Sequence, residues 1–344
     1  MPRTYIPNPT LPQKAFYLLL LYFCKVTWSL AYTLVPPFLP ALFPPPTQKK
    51  SYPPSRRPVW FYHPTTYPPL HGRKLPLYIN IHGGAFTYGT PRKDTLFCSR
   101  LTSQLSCLTA SISYRHAPRH PFPTAIHDCA LLVECILSDP EYAEIIDRSR
   151  IVVGGFSAGG CISLALARLP ALRETCKFAA VVAWYPKVDC TLTFDEECVG
   201  LPHEDVDHTM WLFKPAFEWG GARGVRLDDP LLSPALHVAA ETLPARVMVV
   251  AGKRDMFAAE CERWVEDVVA LRGGREEVGR EGRWRKVCGD GGKVVGWWVE
   301  GVGHSFTHKI PRGNTTEVWR VREVTKEVVE GVGEWVRDVF DGTI

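Results

Sequence analysis

From about residue 58 onward, short apolar runs rich in β-branched and aromatic residues alternate with longer stretches in which apolar residues recur every three or four positions. The short runs are VWFYH (59–63), LPLYINIH (75–82), CLTASISY (107–114), RIVVGGF (150–156), FAAVVAWY (178–185), ARVMVVAG (245–252) and KVVGWWVEG (293–301). Each has the length and composition of a strand. Between them, 124–137, 158–168, 258–272 and 315–339 follow the helical period. Strands that alternate with helices build βα units, so the chain is expected to form an α/β fold around a mostly parallel sheet. Residues 188–232 follow neither period and lie between two strands. They are expected to cap the strand ends. The expected organisation is a hydrophobic anchor or cap segment with a proline-rich linker over 1–50, then one domain over 51–344 that carries the cap insertion.

With 344 residues, 46% of them apolar and 22% charged, the chain has the material for a sizeable core, and disorder is excluded. The net charge is only +4 and the basic residues are scattered, which speaks against a nucleic-acid partner. Eleven cysteines include no CxxC pair and no metal-like Cys/His spacing. Several, such as Cys129, Cys135 and Cys161, fall on the expected inner faces of helices, so free buried thiols are expected rather than a disulfide framework.

Residues 15–35 are almost wholly apolar apart from Lys25 and run into PPFLPALFPPP. About 20 apolar residues suffice to cross a bilayer, yet a central lysine costs roughly 2.5–3.5 kcal/mol, which makes the span marginal. The alternatives are a helix lying in the membrane interface and an amphipathic helix packed over the substrate entrance. Attachment to a membrane is expected, that of the endoplasmic reticulum being one option and a cytoplasmic location the other. A cleaved signal peptide is not, because no short apolar core precedes a small-residue cleavage site. Asn314-Thr315-Thr316 has the form of a glycosylation acceptor.

Gly155-Phe156-Ser157-Ala158-Gly159 follows the apolar run IVVGG and precedes the helical run AGGCISLALARL, which puts Ser157 on a sharp strand-to-helix turn. Glycines at both flanks let strand and helix approach, and the helix N-terminus directs partial positive charge at a developing oxyanion. A serine that merely caps a helix is the alternative. Upstream, Ile81-His82-Gly83-Gly84-Ala85-Phe86 ends another strand with consecutive glycines that can present N–H groups to an anion. His82 is expected to hold this loop rather than act as a base.

These two motifs, with YRHAPRHPFPTA (114–125) between them, then Asp229-Pro230-Leu231-Leu232-Ser233-Pro234, Asp255 and His304, resemble in content and order the hormone-sensitive-lipase-like family of α/β-hydrolases. The resemblance covers roughly 58–340. It implies an eight-stranded sheet, an N-terminal and inserted cap, and esterase chemistry without cofactor or metal. The chain departs from the family pattern twice: Ala85 stands for the last glycine of HGGG, and Phe156 for the aspartate before the nucleophile. The N–H groups of Gly84, Ala85 and Ala158 are the expected oxyanion hole, with Gly83 shaping the loop.

The acid is expected at Asp255, just past the apolar strand 247–251, where α/β sheets assemble their sites. Asp189 competes but comes too early for the order Ser, Asp, His. His304 lies in a glycine-flanked loop after WWVEG and is the expected base, ahead of His308, His203 and His208. The long interval between Asp255 and His304 is taken up by the Gly- and Arg-rich stretch 272–293, read as a solvated excursion. With Trp211, Phe213, Phe217 and Trp219 in the cap, the expected substrate is an apolar small-molecule or lipid ester, the alternative being that these aromatics form the core of the cap itself. The rivals are a tailoring hydrolase acting on a natural-product ester, amide or thioester, and a non-catalytic receptor on the same fold, which the presence of His304 disfavours.

Overall fold

The computed structural model describes residues 3–344 apart from 70–71, 207, 240–241, 273–276, 282–283, 290–292 and 309–314. Asn314 lies outside the described residues. Seven of the strands are β1 (Gln48–Ser51), β2 (Pro58–Tyr62), β3 (Leu75–Ile81), β4 (Leu108–Ile112), β5 (Ile146–Phe156), β6 (Ala180–Trp184) and β7 (Arg246–Gly252). The others are β8 (Glu277–Glu281), β9 (Trp284–Gly289) and β10 (Val294–Val299). They form one sheet in the order β1-β2-β4-β3-β5-β6-β7-β10-β9-β8. From β4 through β10 the pairs are parallel, with Ile81 opposite Gly155 and Val250 opposite Trp184. The edges are antiparallel. Eight strands, β1 to β7 and β10, make the mostly parallel sheet, and the β8–β9 hairpin prolongs it. The stretch 272–293 is therefore no mere excursion: β9 pairs with β10 and β8 with β9 through backbone groups, in a stretch that carries no continuous apolar run.

The central strands are buried on both faces; all seven residues of β3 and all five of β6 are buried. Covering both faces of a parallel sheet with helices is what leaves such strands uniformly apolar. One layer of cover comes from α2 (Thr95–Leu105) and α9 (Thr316–Asp341), which touch each other. Another comes from α3 (Thr124–Ser138) and α4 (Ala158–Arg168), with α5 (Pro170–Thr175) beside α4 and α8 (Ala258–Leu271) against β7 and β10. Every residue of α4 is buried, since strands, α3 and α5 surround it. Each large aliphatic side chain withdrawn from water in this way contributes roughly 1.5–3 kcal/mol.

Residues 188–232 hold two helices, α6 (Phe194–Glu197) and α7 (His208–Ala222). The N-terminal segment forms α1 (Leu11–Leu34), begun by Thr10, whose N–H donates to the Gln13 side chain, and ended by Pro36 and Pro37. This helix packs along α7: Leu21 is seated over Gly220, and Tyr17 meets Trp219 at 6.0 Å between ring centroids. Trp28 stacks on Tyr88 at 5.7 Å. The ten cysteines whose side chains are described are free, Cys129 and Cys161 buried and Cys135 half-buried.

Candidate active site

Because β3, β5, β6, β7 and β10 run parallel, the loops at their carboxyl ends leave the sheet along one edge. The residues following β3, β5, β7 and β10 are the four groups singled out from the sequence.

Ser157 occupies the turn from β5 into α4 at φ 54°, ψ −116°. A non-glycine residue in such a region costs of order 1–3 kcal/mol, which the surrounding packing must offset. Its N–H donates to the Trp184 carbonyl at 2.8 Å. The turn leaves no room at its flank: a Cβ at Gly155 would stand 2.6 Å from the carbonyl oxygens of Ile81 and Gly159. That is the steric reason for glycine two positions before the serine.

His304 Nδ1 lies 2.8 Å from Asp255 Oδ2, and His304 Nε2 lies 2.9 Å from Ser157 Oγ. With Nδ1–H donating to the carboxylate, Nε2 is left to accept the serine hydroxyl proton. Asp255 is 1% exposed, and its other oxygen accepts the Phe257 N–H at 3.0 Å, so the carboxylate is fixed at both oxygens. The imidazole is held between two rings set at steep angles to it, Tyr185 at 5.0 Å and Phe257 at 5.2 Å.

The loop after β3 faces Ser157. Gly84 has φ +131°, and a side chain there would press into the Tyr88 carbonyl; Gly83 has no space for one either, with Phe156 O 2.6 Å from an added Cβ. Ala85 adopts φ +49° despite its side chain. Gly84 and Ala85 donate their N–H groups to no protein acceptor among the described residues. Ala158 is the first residue of α4, where N–H groups have no intrahelical partner. Buried His82 ties the loop down, its Nδ1 2.9 Å from the Gly83 carbonyl and its Nε2 3.1 Å from Ser113 Oγ. Burial lowers its pKa to about 4, so it stays neutral.

The competing candidates lie elsewhere. Asp189 Oδ1 accepts from the N–H and hydroxyl of Thr191, closing a turn below the cap. His203 sits exposed on a short turn of the cap. The position of the His208 side chain is outside the described residues. His308 is half-buried behind the site, where its Nε2 lies 2.8 Å from Asp94 Oδ1 and its Nδ1 3.0 Å from the Tyr185 hydroxyl. The Asn80 amide donates to the second Asp94 oxygen at 2.8 Å. The surroundings of Phe156 explain how a hydrophobic residue fits before Ser157. Phe156 is 1% exposed, stacks near Trp184, and receives the edge of His308 at 4.6 Å between centroids.

A cavity of about 430 Å³ opens at Ser157 and His304. Phe86, Tyr88, Phe217, Met256 and Phe257 supply apolar wall, and Ile6 reaches it from the N-terminal segment. Lys187, Lys214 and Glu218 also line it, and their charges were not foreseen from the sequence. Lys187 and Tyr185 stand just past β6, so the strand-end rule that singled out Asp255 would have found them too. Asp94, in the turn PRKD, carries no comparable signal.

A profile described as alpha/beta hydrolase fold matches residues 78–279. Among curated relatives, Probable carboxylesterase 2 of Arabidopsis thaliana is 26% identical over 216 residues, which cover 60% of this chain and 66% of that one. Carboxylic ester hydrolase LipN of Mycobacterium tuberculosis is 29% identical over 199 residues, covering 54% of this chain and 50% of that one. The chain thus spans between half and about two thirds of the length of these relatives. Among solved structures, the hyperthermophilic esterase from Pyrobaculum calidifontis superposes with a TM-score of 0.67 at 18% identity, covering 100% of this chain and 99% of that one. Carboxyl esterase 2 from the fungus Tuber melanosporum gives 0.64 at 18%, with 85% and 87% covered.

Proposed function

Since the chain belongs to the alpha/beta hydrolase fold family, we propose that it cleaves carboxylic esters through an acyl-enzyme, with Ser157 as nucleophile, His304 as general base and Asp255 as the acid that orients it. The observation that carries this is the unbroken hydrogen-bonded line from Asp255 Oδ2 through His304 to Ser157 Oγ. His304 Nε2 takes the hydroxyl proton as Oγ attacks the carbonyl carbon. The oxygen that gains charge is met by the N–H groups of Gly84, Ala85 and Ala158, which need not reorganise. The imidazolium returns the proton to the departing alcohol. Water then repeats the sequence and releases the acid. The aromatic wall around Phe86, Tyr88 and Phe217 favours a substrate with apolar bulk next to the ester.

The test is a series of p-nitrophenyl esters from acetate to decanoate given to the full chain, with a fluorophosphonate probe in parallel. Hydrolysis is expected, with one equivalent of probe on the peptide containing Ser157. A folded chain that neither turns over any ester nor takes up the probe would overturn the proposal.

The N-terminal helix is long and apolar enough, by length and composition, to cross a membrane. Its surroundings favour lying on one instead. Before it, the Arg3 guanidinium grips Glu218 at 2.8 and 2.9 Å, and near its end the Tyr32 carbonyl accepts from Arg92 at 2.8 Å. Leu21 and Cys24 face the domain, whereas Phe16, Leu19, Tyr22, Phe23, Val26 and Leu30 face outward. A helix held at both ends with its apolar face turned away suits the bilayer surface. Full-length chain is expected to sediment with phosphatidylcholine vesicles and to be released by alkaline carbonate. The pair Leu19→Asp and Phe23→Asp is expected to lower the partition coefficient at least ~tenfold. Retention in carbonate would mean a spanning helix, and equal binding by the variant would remove α1 from the contact.

A further inference from the structure

The cavity beside Ser157 has a charged wall whose ions come from distant parts of the chain. Lys187 follows β6 and is tied to the nucleophile helix: its N–H meets Cys161 Sγ at 3.2 Å, and its carbonyl accepts from the same thiol at 2.9 Å. Its ammonium lies over the Phe257 ring, 5.1 Å from the centroid, and Phe257 is the ring that abuts His304. Behind Lys187 stand two buried carboxylates. Glu197 accepts a hydrogen bond from the ammonium, and Glu260 is 3.8 Å away, beyond hydrogen-bonding reach. Lys214 donates to the Leu192 carbonyl at 3.2 Å and stands in ion-pair contact with Glu197 at 2.7 Å and Glu218 at 3.1 Å. Arg3 completes the row on Glu218.

An ammonium has three donors, and Lys187 makes one hydrogen bond among the described residues while facing the cavity. Burial disfavours its charge, but Glu260 and Glu197 outweigh that and raise its pKa, so it remains a cation. A cation lining a cavity of this size, beside the reacting groups, can donate to whatever occupies that wall. The row sets three cations, Arg3, Lys187 and Lys214, against the carboxylates of Glu197 and Glu218 and against Glu260, whose pKa burial raises to about 7. A further full charge would upset that balance in a place where charge is poorly solvated, whereas a neutral oxygen would not.

We infer that Lys187 recognises a neutral oxygen acceptor, a keto, ether or hydroxyl oxygen, carried by the ester some atoms from the scissile carbonyl. Oxygenated esters are then the preferred substrates, and plain alkyl esters of equal length are poorer. The inference rests on Ser157 being the nucleophile.

Two matched pairs test it, one for each side of the ester: p-nitrophenyl hexanoate against 5-oxohexanoate, and n-pentyl acetate against 4-oxopentyl acetate. Each kcat/KM is divided by the hydroxide-catalysed rate of the same ester. In at least one pair the oxo ester is expected to be favoured about tenfold, the size of a hydrogen bond to a charged group. Lys187→Met is expected to bring that ratio close to one. Should the lone substitution fail to fold because Glu197 keeps only Lys214 as a cationic partner, the pair Lys187→Met and Glu197→Gln is measured instead. A ratio near one in both pairs for the unaltered chain, or an undiminished ratio in the lysine variants, overturns the assignment. Activity with a flat ratio sinks the oxygen subsite alone. No activity on any of the four esters, with Ser157 unlabelled by fluorophosphonate, sinks the hydrolase proposal beneath it.

Discussion

Replacing Ser157 by alanine is expected to lower kcat on p-nitrophenyl butyrate by ~10⁴-fold or more and to abolish fluorophosphonate labelling. The oxygen removed is the one that would form the acyl bond. Cys161, one turn along α4, is buried, and burial pushes its thiol pKa well up, so it supplies no thiolate. Residual hydrolysis is expected from the oxyanion donors alone. The variant also separates chemistry from architecture. Ser157 sits at a strained φ of 54°, and alanine suffers the same backbone cost, so thermal stability should change little. A variant that retains more than a few per cent of activity would mean that another group attacks the ester.

Asp255→Asn is expected to cost roughly 10³–10⁴-fold in kcat with KM nearly unchanged. The carboxylate can only accept, so it selects the imidazole tautomer with hydrogen on Nδ1. An amide in its place can donate to Nδ1, which puts the imidazole hydrogen on Nε2 and leaves no acceptor for the Ser157 hydroxyl. It also withdraws the negative charge that stabilises the imidazolium formed during attack. Comparison of kcat and KM is decisive, because a variant that merely loosened the loop would disturb substrate binding as well. A loss of less than tenfold would show that His304 is oriented by the flanking rings of Tyr185 and Phe257 instead.

Where strands carried apolar runs, their positions were readable within a residue or two, because a strand buried on both faces has to be apolar throughout. The exception is β5, which begins four residues before the run 150–156. Runs 75–82, 178–185 and 245–252 correspond to β3, β6 and β7. The strands not foreseen lie at the edges and carry no continuous apolar run. Gln48–Ser51 reads QKKS and joins β2 by backbone hydrogen bonds while its side chains alternate toward water. The β8–β9 hairpin escaped notice for the same reason, since ladder bonds are made by groups every residue has. At position 156 the sequence showed a missing aspartate; only the packing showed why a phenyl ring belongs there, between Trp184 and the edge of His308. The apolarity of α1 was plain, but which side of it faces the domain depended on Leu21 finding the surface of Gly220.

By itself the sequence determined the set of residues on the working edge, since a serine between glycines on a strand-to-helix turn, a glycine loop after a strand and groups just past two other strands are local arrangements dictated by sterics. The 2.8 and 2.9 Å links between Asp255, His304 and Ser157 belong to the tertiary structure, as does the charged wall that brings residue 3 to 218 and residue 187 to 197 and 260. Hydrogen bonds and ion pairs act through space over a few ångströms, and no periodicity along the chain records which distant side chains a fold brings within that reach.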